Sequence, residues 1–123
     1  MALHNETGKW GEDVAADMLV EQGCAIVGRN VHIGHHEIDI IAMRDDLLIF
    51  AEVKTRSNMD EDPLEAIDNR KIMHMVRAAD AYIRENMMPH RVQFDLFAIS
   101  GTPQKYTVEH IPDAFEPPLR TYR

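Results

Sequence analysis

The sequence predicts an α/β sandwich on a mixed central sheet, with elements in the order α-β-β-β-α-β-β, as a single domain over residues 1–123. Three observations carry this. Two stretches, residues 5–22 and 63–87, place apolar residues at helical spacing. Shorter apolar runs bounded by Gly, Pro or Asp read as strands. The central pair of runs, HHEIDIIAMRDDLLIFAEVKTR at residues 35–56, is apolar on both faces and so needs cover on both sides of the sheet.

In the first helix Asn5 or Thr7 is a candidate cap, and Glu12 and Asp13 sit near its positive end. Val14, Ala15, Met18 and Leu19 form its apolar stripe, and Gly23 is the expected C-cap. Gly8 and Gly11 cost helix stability, but their small size allows a close approach to another backbone or a ligand. Residues 24–31 predict a short strand near an edge, and Gly34 breaks the pattern before the central hairpin. Asp62 and Pro63 predict the start of the second helix, whose core stripe is Ile72, Met75, Val76, Ala79, Tyr82 and Ile83, with Pro89 as its stop. Residues 91–99 predict a strand, Gly101-Thr102-Pro103 a turn, and 105–111 a last strand. The Pro-interrupted tail reads as a docking or flexible segment.

The chain's 123 residues suit one core, and its 45% hydrophobic content is that of an ordinary globular protein. No run of 18 apolar residues predicts a membrane helix, and the N-terminal residues do not suggest a signal peptide. The single Cys24 cannot form an internal disulfide, which fits a cytoplasmic location. The net charge of −8 argues against a protein that simply coats nucleic acid. It leaves room for a nucleic-acid enzyme, which needs carboxylates at its centre and only a local basic patch for phosphates.

The hairpin carries four charges in otherwise apolar strands: Glu37, Asp39, Glu52 and Lys54. Charges are rarely buried unless paired or bound to metal. With Asp45-Asp46 as a two-residue loop, Arg44 pairs with Leu47, Asp39 falls opposite Glu52, and Glu37 falls opposite Lys54. Alternation then puts all four on one face, shared with Ile41, Met43, Leu48 and Phe50, while Ile38, Ile40 and Ala42 face the other way with Ile49, Ala51 and Val53. Directly opposed carboxylates repel unless a cation or proton lies between them, so this register describes a divalent-metal site with a lysine beside it. An exposed cross-strand ion-pair cluster is the plainer reading, but the flanking residues are too apolar for an exposed face. For Glu37 two roles stay open, pairing with Lys54 or direct metal contact.

Asp39 followed by Glu52-Val53-Lys54 resembles the bipartite signature of the PD-(D/E)XK nuclease superfamily. The chain more closely resembles the bacterial YraN family, which is related to Holliday junction resolvases. The resemblance runs through Gly8, Gly11-Glu12, Ala15, Arg29-Asn30, Glu37-Ile38-Asp39-Ile40-Ile41-Ala42, Glu52-Val53-Lys54, Arg56, Lys71, Ala79, Phe94-Asp95 and Ala114-Phe115. It departs at His36, where family members usually carry glycine.

The resemblance implies a restriction-endonuclease-like α-β-β-β-α-β core and a metal-dependent endonuclease that hydrolyses phosphodiester bonds in DNA, branched or structured DNA included. In that reading Asp39 and Glu52, helped by the Val53 carbonyl, hold Mg2+ or Mn2+. Glu12 reaches the site from the first helix as a further acidic ligand, and Lys54 orients or deprotonates the attacking water or steadies charge on the phosphate. On the residues alone, Glu12 is instead a favourable charge at a helix N-terminus. Lys71, Arg44 and Arg56 are candidate nucleic-acid contacts, with Arg29, Arg70 and Arg77 as further rim charges. Related resolvases dimerise, which makes a homodimer an expectation. The rival reading, motivated by the acidic balance and His36, is a non-catalytic nucleic-acid-binding or scaffolding module with a vestigial nuclease site. His32, His35 and His36 with Cys24 lack the spacing of a structural zinc site, and the methionines read as packing residues. Asp95, an acid within a strand, has no account from sequence.

Overall fold

A computed structural model describes residues 2–56, 68–87 and 91–115, with side chains of the first helix from residue 9 onward. Its elements are α1 (Ala2–Glu21), β1 (Ala25–Ile33), β2 (His36–Arg44), β3 (Leu47–Arg56), α2 (Asn69–Asn86), β4 (Arg91–Thr102) and β5 (Lys105–Ile111). The strands form one sheet in the order β1-β2-β3-β4-β5, antiparallel except for the parallel β3–β4 pair. The fold is therefore α/β, a five-stranded mixed sheet flanked by two helices, in keeping with an α-β-β-β-α-β core. Among the described residues no helix is long and apolar enough to cross a membrane.

The two faces of the sheet bury separate clusters. On one side α1 lays Ala15, Ala16 and Leu19 over Ile40, Ala42, Ile49, Ala51 and Phe97. On the other, α2 lays Met75, Val76, Ala78 and Ala79 over Ile41, Leu48, Phe50 and Phe94. Gly11 is the point of closest approach for α1, since a Cβ there would collide with Thr55 Oγ1 on β3. The expected close packing at this glycine is thus against a strand side chain.

Several boundaries differ from expectation. α1 begins at Ala2, so Asn5 and Thr7 lie within the helix rather than capping it, and Glu12 sits well inside it. The helix-end dipole acts only over the first turn, so it does not explain Glu12. Gly23 does close α1, at φ +94°, with its amide donating to the Val20 carbonyl and the Cys24 amide to Leu19. β1 runs on to Ile33, at the sheet edge as expected. α2 starts at Asn69, where the Asp68 carboxylate caps the Lys71 amide at 2.9 Å, and ends in a left-handed Met87. The proposed cap and stop at Asp62, Pro63 and Pro89 lie outside the described residues.

β4 continues through the expected turn to Thr102, and the loop is Pro103–Gln104. Gly101, at φ +117°, fits within the ladder because a Cβ there would strike the Lys105 carbonyl. The start of the tail docks on the sheet: the Ala114 amide donates to the Phe94 carbonyl at 2.7 Å, and Phe115 stacks on Phe94.

The two-residue loop is as read from sequence. Arg44 pairs with Leu47, and the ladder proceeds through Met43–Leu48, Ala42–Ile49 and Ile41–Phe50 to Ile40–Ala51. Asp45 takes the positive φ that the turn needs, 56°, and the Asp46 carboxylate clasps Arg91, with Arg91 Nη2 donating at 2.9 Å, fixing the tip to the start of β4.

Candidate active site

The hairpin ladder stops at Ile40–Ala51, and this corrects the sequence geometry. Asp39 and Glu52 are not ladder partners, nor are Glu37 and Lys54. β2 stays attached to β1 as far as His36–Ile33, and β3 to β4 as far as Arg56–Ser100, so the two strands part like a fork. At the fork the Asp39 carboxylate accepts the Val53 amide hydrogen at 2.8 Å. A side chain stands where a backbone rung would have been.

The side-chain alternation also slips here. Ile38 packs with Ile41 and the α2-side cluster, while Ile40 packs under α1. An irregularity on β1 lies opposite it. Asn30 falls between the pairs Arg29–Ile40 and Val31–Ile38, across from Asp39, and its backbone is left-handed at φ 51°. Asp39 turns along the sheet toward Val53 on β3 instead of sharing one face with the other charges.

Glu52 points to the α2 side, where Lys71 Nζ lies 3.1 Å from Oε2. Both carboxyls are pushed up from their ordinary values. Asp39 rises to about 7, first through burial and then through the neighbouring Glu52 charge, with the Val53 amide pulling the other way and Glu12 adding repulsion. Glu52 rises through burial, opposed by Lys71 and Lys54. Two half-buried carboxylates that resist ionising side by side are short of positive charge.

Glu12, on α1, accepts from Asn30 Nδ2 at 3.0 Å and sits 3.5 Å from Arg29 Nη2. Arg29 also pairs with Asp13 at 2.8 Å, which holds the Asp13 carboxyl below its ordinary value. Glu12 is near enough for its charge to be felt at Asp39, but its oxygen is held by β1 residues. Sequence reasoning gave Asn30 no role. An asparagine flanked by strand residues is the available signal, since Asn tolerates left-handed backbone.

Lys54 is exposed and lines a cavity of about 230 Å³ with Glu52, Asp68, Arg70, Lys71 and His74. Arg56 follows Lys54 by two residues on β3. Arg44 does not join this group. It lies at the hairpin tip, donating to the Gln22 carbonyl at 3.4 Å, roughly 17 Å along the strand from Asp39. Glu37 faces His32 across β1 and shares a second cavity with Lys71 and His74. His36 brings no backbone strain: it pairs with Ile33, and the positive φ of the turn, 62°, falls on Gly34.

Among the described residues no three His, Cys, Asp or Glu side chains converge as a ready metal cage. The donor set still fits Mg2+ or Mn2+. These ions take one or two carboxylates and keep several waters. Asp39 and Glu52 supply hard oxygens, and the Lys71 ammonium already stands against Glu52 as a cation.

Comparison with known proteins finds a family model, described as "Uncharacterised protein family UPF0102", that matches residues 11–99. A UPF0102 protein of Bacteroides thetaiotaomicron is 45% identical over 120 residues, covering 97% of this chain and 99% of the relative. One of Phocaeicola vulgatus is 42% identical with the same coverage. One of Flavobacterium johnsoniae is 39% identical over 94% of this chain and 98% of its own.

Proposed function

The chain belongs to the uncharacterised UPF0102 family, the family of YraN, and we propose that it is a metal-dependent endonuclease that hydrolyses phosphodiester bonds in DNA, branched or structured DNA included. The observation that carries this reading is the charge-starved Asp39–Glu52 pair, of which Glu52 opens into the cavity lined by Lys54 and Lys71.

Bound Mg2+ or Mn2+ would polarise a phosphoryl oxygen and lower the pKa of a coordinated water. The protein's own residues divide the remaining work. Asp39 and Glu52 would hold the ion through oxygen, and the Val53 amide fixes which way Asp39 points. Asn30 and Arg29 keep Glu12 at the edge of the site, where it suits contact through water better than direct ligation. Lys54 is placed to orient the attacking water or steady charge on the phosphate. Lys71 balances Glu52 and lines the same cavity, where its ammonium would also meet a phosphate.

The test is Mn2+ binding by wild type and Asp39→Ala, followed by a panel of linear, flapped and four-way DNA and RNA with Mn2+. Cleavage that depends on Asp39 supports the reading. Equal metal affinity in both proteins sinks it. A second reading, a non-catalytic nucleic-acid-binding module, is favoured by the Lys71–Glu52 ion pair, which already neutralises one carboxylate. Binding on the same panel without any Asp39-dependent cleavage would select it.

A further inference from the structure

Beside the cavity at Glu52 and Lys54 lies a second concavity of about 160 Å³ that the proposed chemistry does not use. Lys71 and His74 line both, so the two adjoin. His36 from the start of β2 and His74 from α2 bring their rings to 4.8 Å, tilted by 40°. Ile38 and Met75, both buried, form an apolar floor. His74 is exposed and His36 half-buried, so this aromatic and apolar corner is open to solvent.

Its composition separates it from a plain phosphate patch. Lys71 and Arg70 bring positive charge, but Glu37 lines the second cavity and Asp68 the first. The whole chain carries −8. A nucleic-acid strand held here cannot rely on charge alone. Stacking of a base on a ring works without a basic surface and tolerates any sequence, because every base has a π-face. A base in a duplex has both faces already stacked, so the corner suits an unpaired one.

We propose that this concavity binds one unpaired nucleotide of the strand running from the Glu52–Lys54 site, its base against His36 and His74 and its phosphate toward Lys71. The proposal rests on the nuclease reading and deepens it, giving the substrate a single-stranded segment beside the scissile bond.

The experiment is fluorescence anisotropy with labelled single-stranded DNA, its RNA counterpart, the same DNA carrying abasic sites, and a blunt duplex. Each is measured in EDTA and again in Ca2+. Wild type should bind the single strand more tightly than the duplex. His36→Ala and His74→Ala should each weaken that binding roughly tenfold. His36→Tyr should restore it, which loss of charge would not explain. The abasic strand should bind wild type as weakly as the intact strand binds the alanine variants. The DNA and RNA arms show which sugar is preferred. Alanine variants that bind like wild type, or an abasic strand that binds like the intact one, overturn the proposal. The nuclease reading survives that result if Asp39-dependent cleavage is seen in the same preparations. If wild type binds no nucleic acid in either condition, both readings fall.

Discussion

The Asp39 carboxylate accepts the amide hydrogen of Val53 across a gap where their strands have already stopped pairing. It therefore has two duties, bridging the fork and carrying charge. Asparagine can take over the first and not the second. Asp39→Asn should melt at the same temperature as wild type or several degrees higher at pH 8 in EDTA, while its Mn2+ affinity falls at least tenfold. Asp39→Ala leaves the Val53 amide without its acceptor and should lose about 1–3 kcal/mol of stability as well. Calorimetric titration and thermal melts separate the two variants. An Asn variant that binds Mn2+ like wild type would remove Asp39 from the metal site.

The raised carboxyls set a direction for pH. Asp39 moves from 3.8 to about 7 on folding, and Glu52 moves the same way. Folding thus favours their protonated forms. This contribution is fully present below the unfolded values and is withdrawn as pH rises through the folded ones. The metal-free protein should lose melting temperature between about pH 4 and 7 relative to Asp39→Asn, in which the main titration is absent. Saturating Mg2+ should flatten the difference, because the ion binds the deprotonated form and releases protons. Parallel profiles for wild type and Asp39→Asn in EDTA would rule this out.

Gly11 and Thr55 make a mechanical prediction. Alanine has the better helix propensity, yet a Cβ at position 11 would collide with Thr55 Oγ1. Gly11→Ala should cost roughly 1–3 kcal/mol through overpacking. Adding Thr55→Ala should return most of that loss, a coupling that denaturant unfolding of the double-mutant cycle would measure. Additive losses would mean that α1 adjusts elsewhere.

Asp95 is buried beneath α1's side of the sheet, accepting from Gln93 Nε2 at 2.9 Å and from the Asp113 amide at 3.0 Å, with His110 Nε2 at 2.7 Å. His110 stacks on Phe97, and its other ring nitrogen meets Gln22 Nε2 at 3.1 Å. This carboxylate ties β5 and the tail to β4. Asp95→Ala should cost about 3 kcal/mol or more, because several partners lose their acceptor together. Metal affinity of the folded protein should stay unchanged, since Glu52 opens to the opposite face. Urea titration and Mn2+ binding on one preparation check both halves.

The hairpin was legible in sequence because a two-residue turn fixes register, and apolar alternation confirms it from Arg44–Leu47 to Ile40–Ala51. The same reasoning failed one residue further. Alternation assumes regular pairing throughout, and it breaks at Asp39, where Ile38 and Ile40 fall on opposite faces and the left-handed Asn30 stands across on β1. Glu12 was misplaced on the helix because its start was read at Asn5 or Thr7 instead of Ala2. Asp95 had no account because His110 and Asp113 come from later segments, and no local pattern announces a contact of that range. The His36–His74 corner was equally hidden, joining a strand start to a distant helix.

The parallel β3–β4 pair has a bearing on the order of assembly. Its partners are separated by 44 residues throughout, as with Leu47 and Arg91 (91 − 47 = 44), whereas β1, β2 and β3 are joined by short turns. Long-range closure is the slow part of folding such a chain. The carboxylates of the fork belong to the quickly formed meander, and Lys71 arrives only with the crossover. Lys54 is therefore the only lysine of the site that belongs to the meander, and the Lys71 counter-charge on Glu52 is set by the long-range docking of α2.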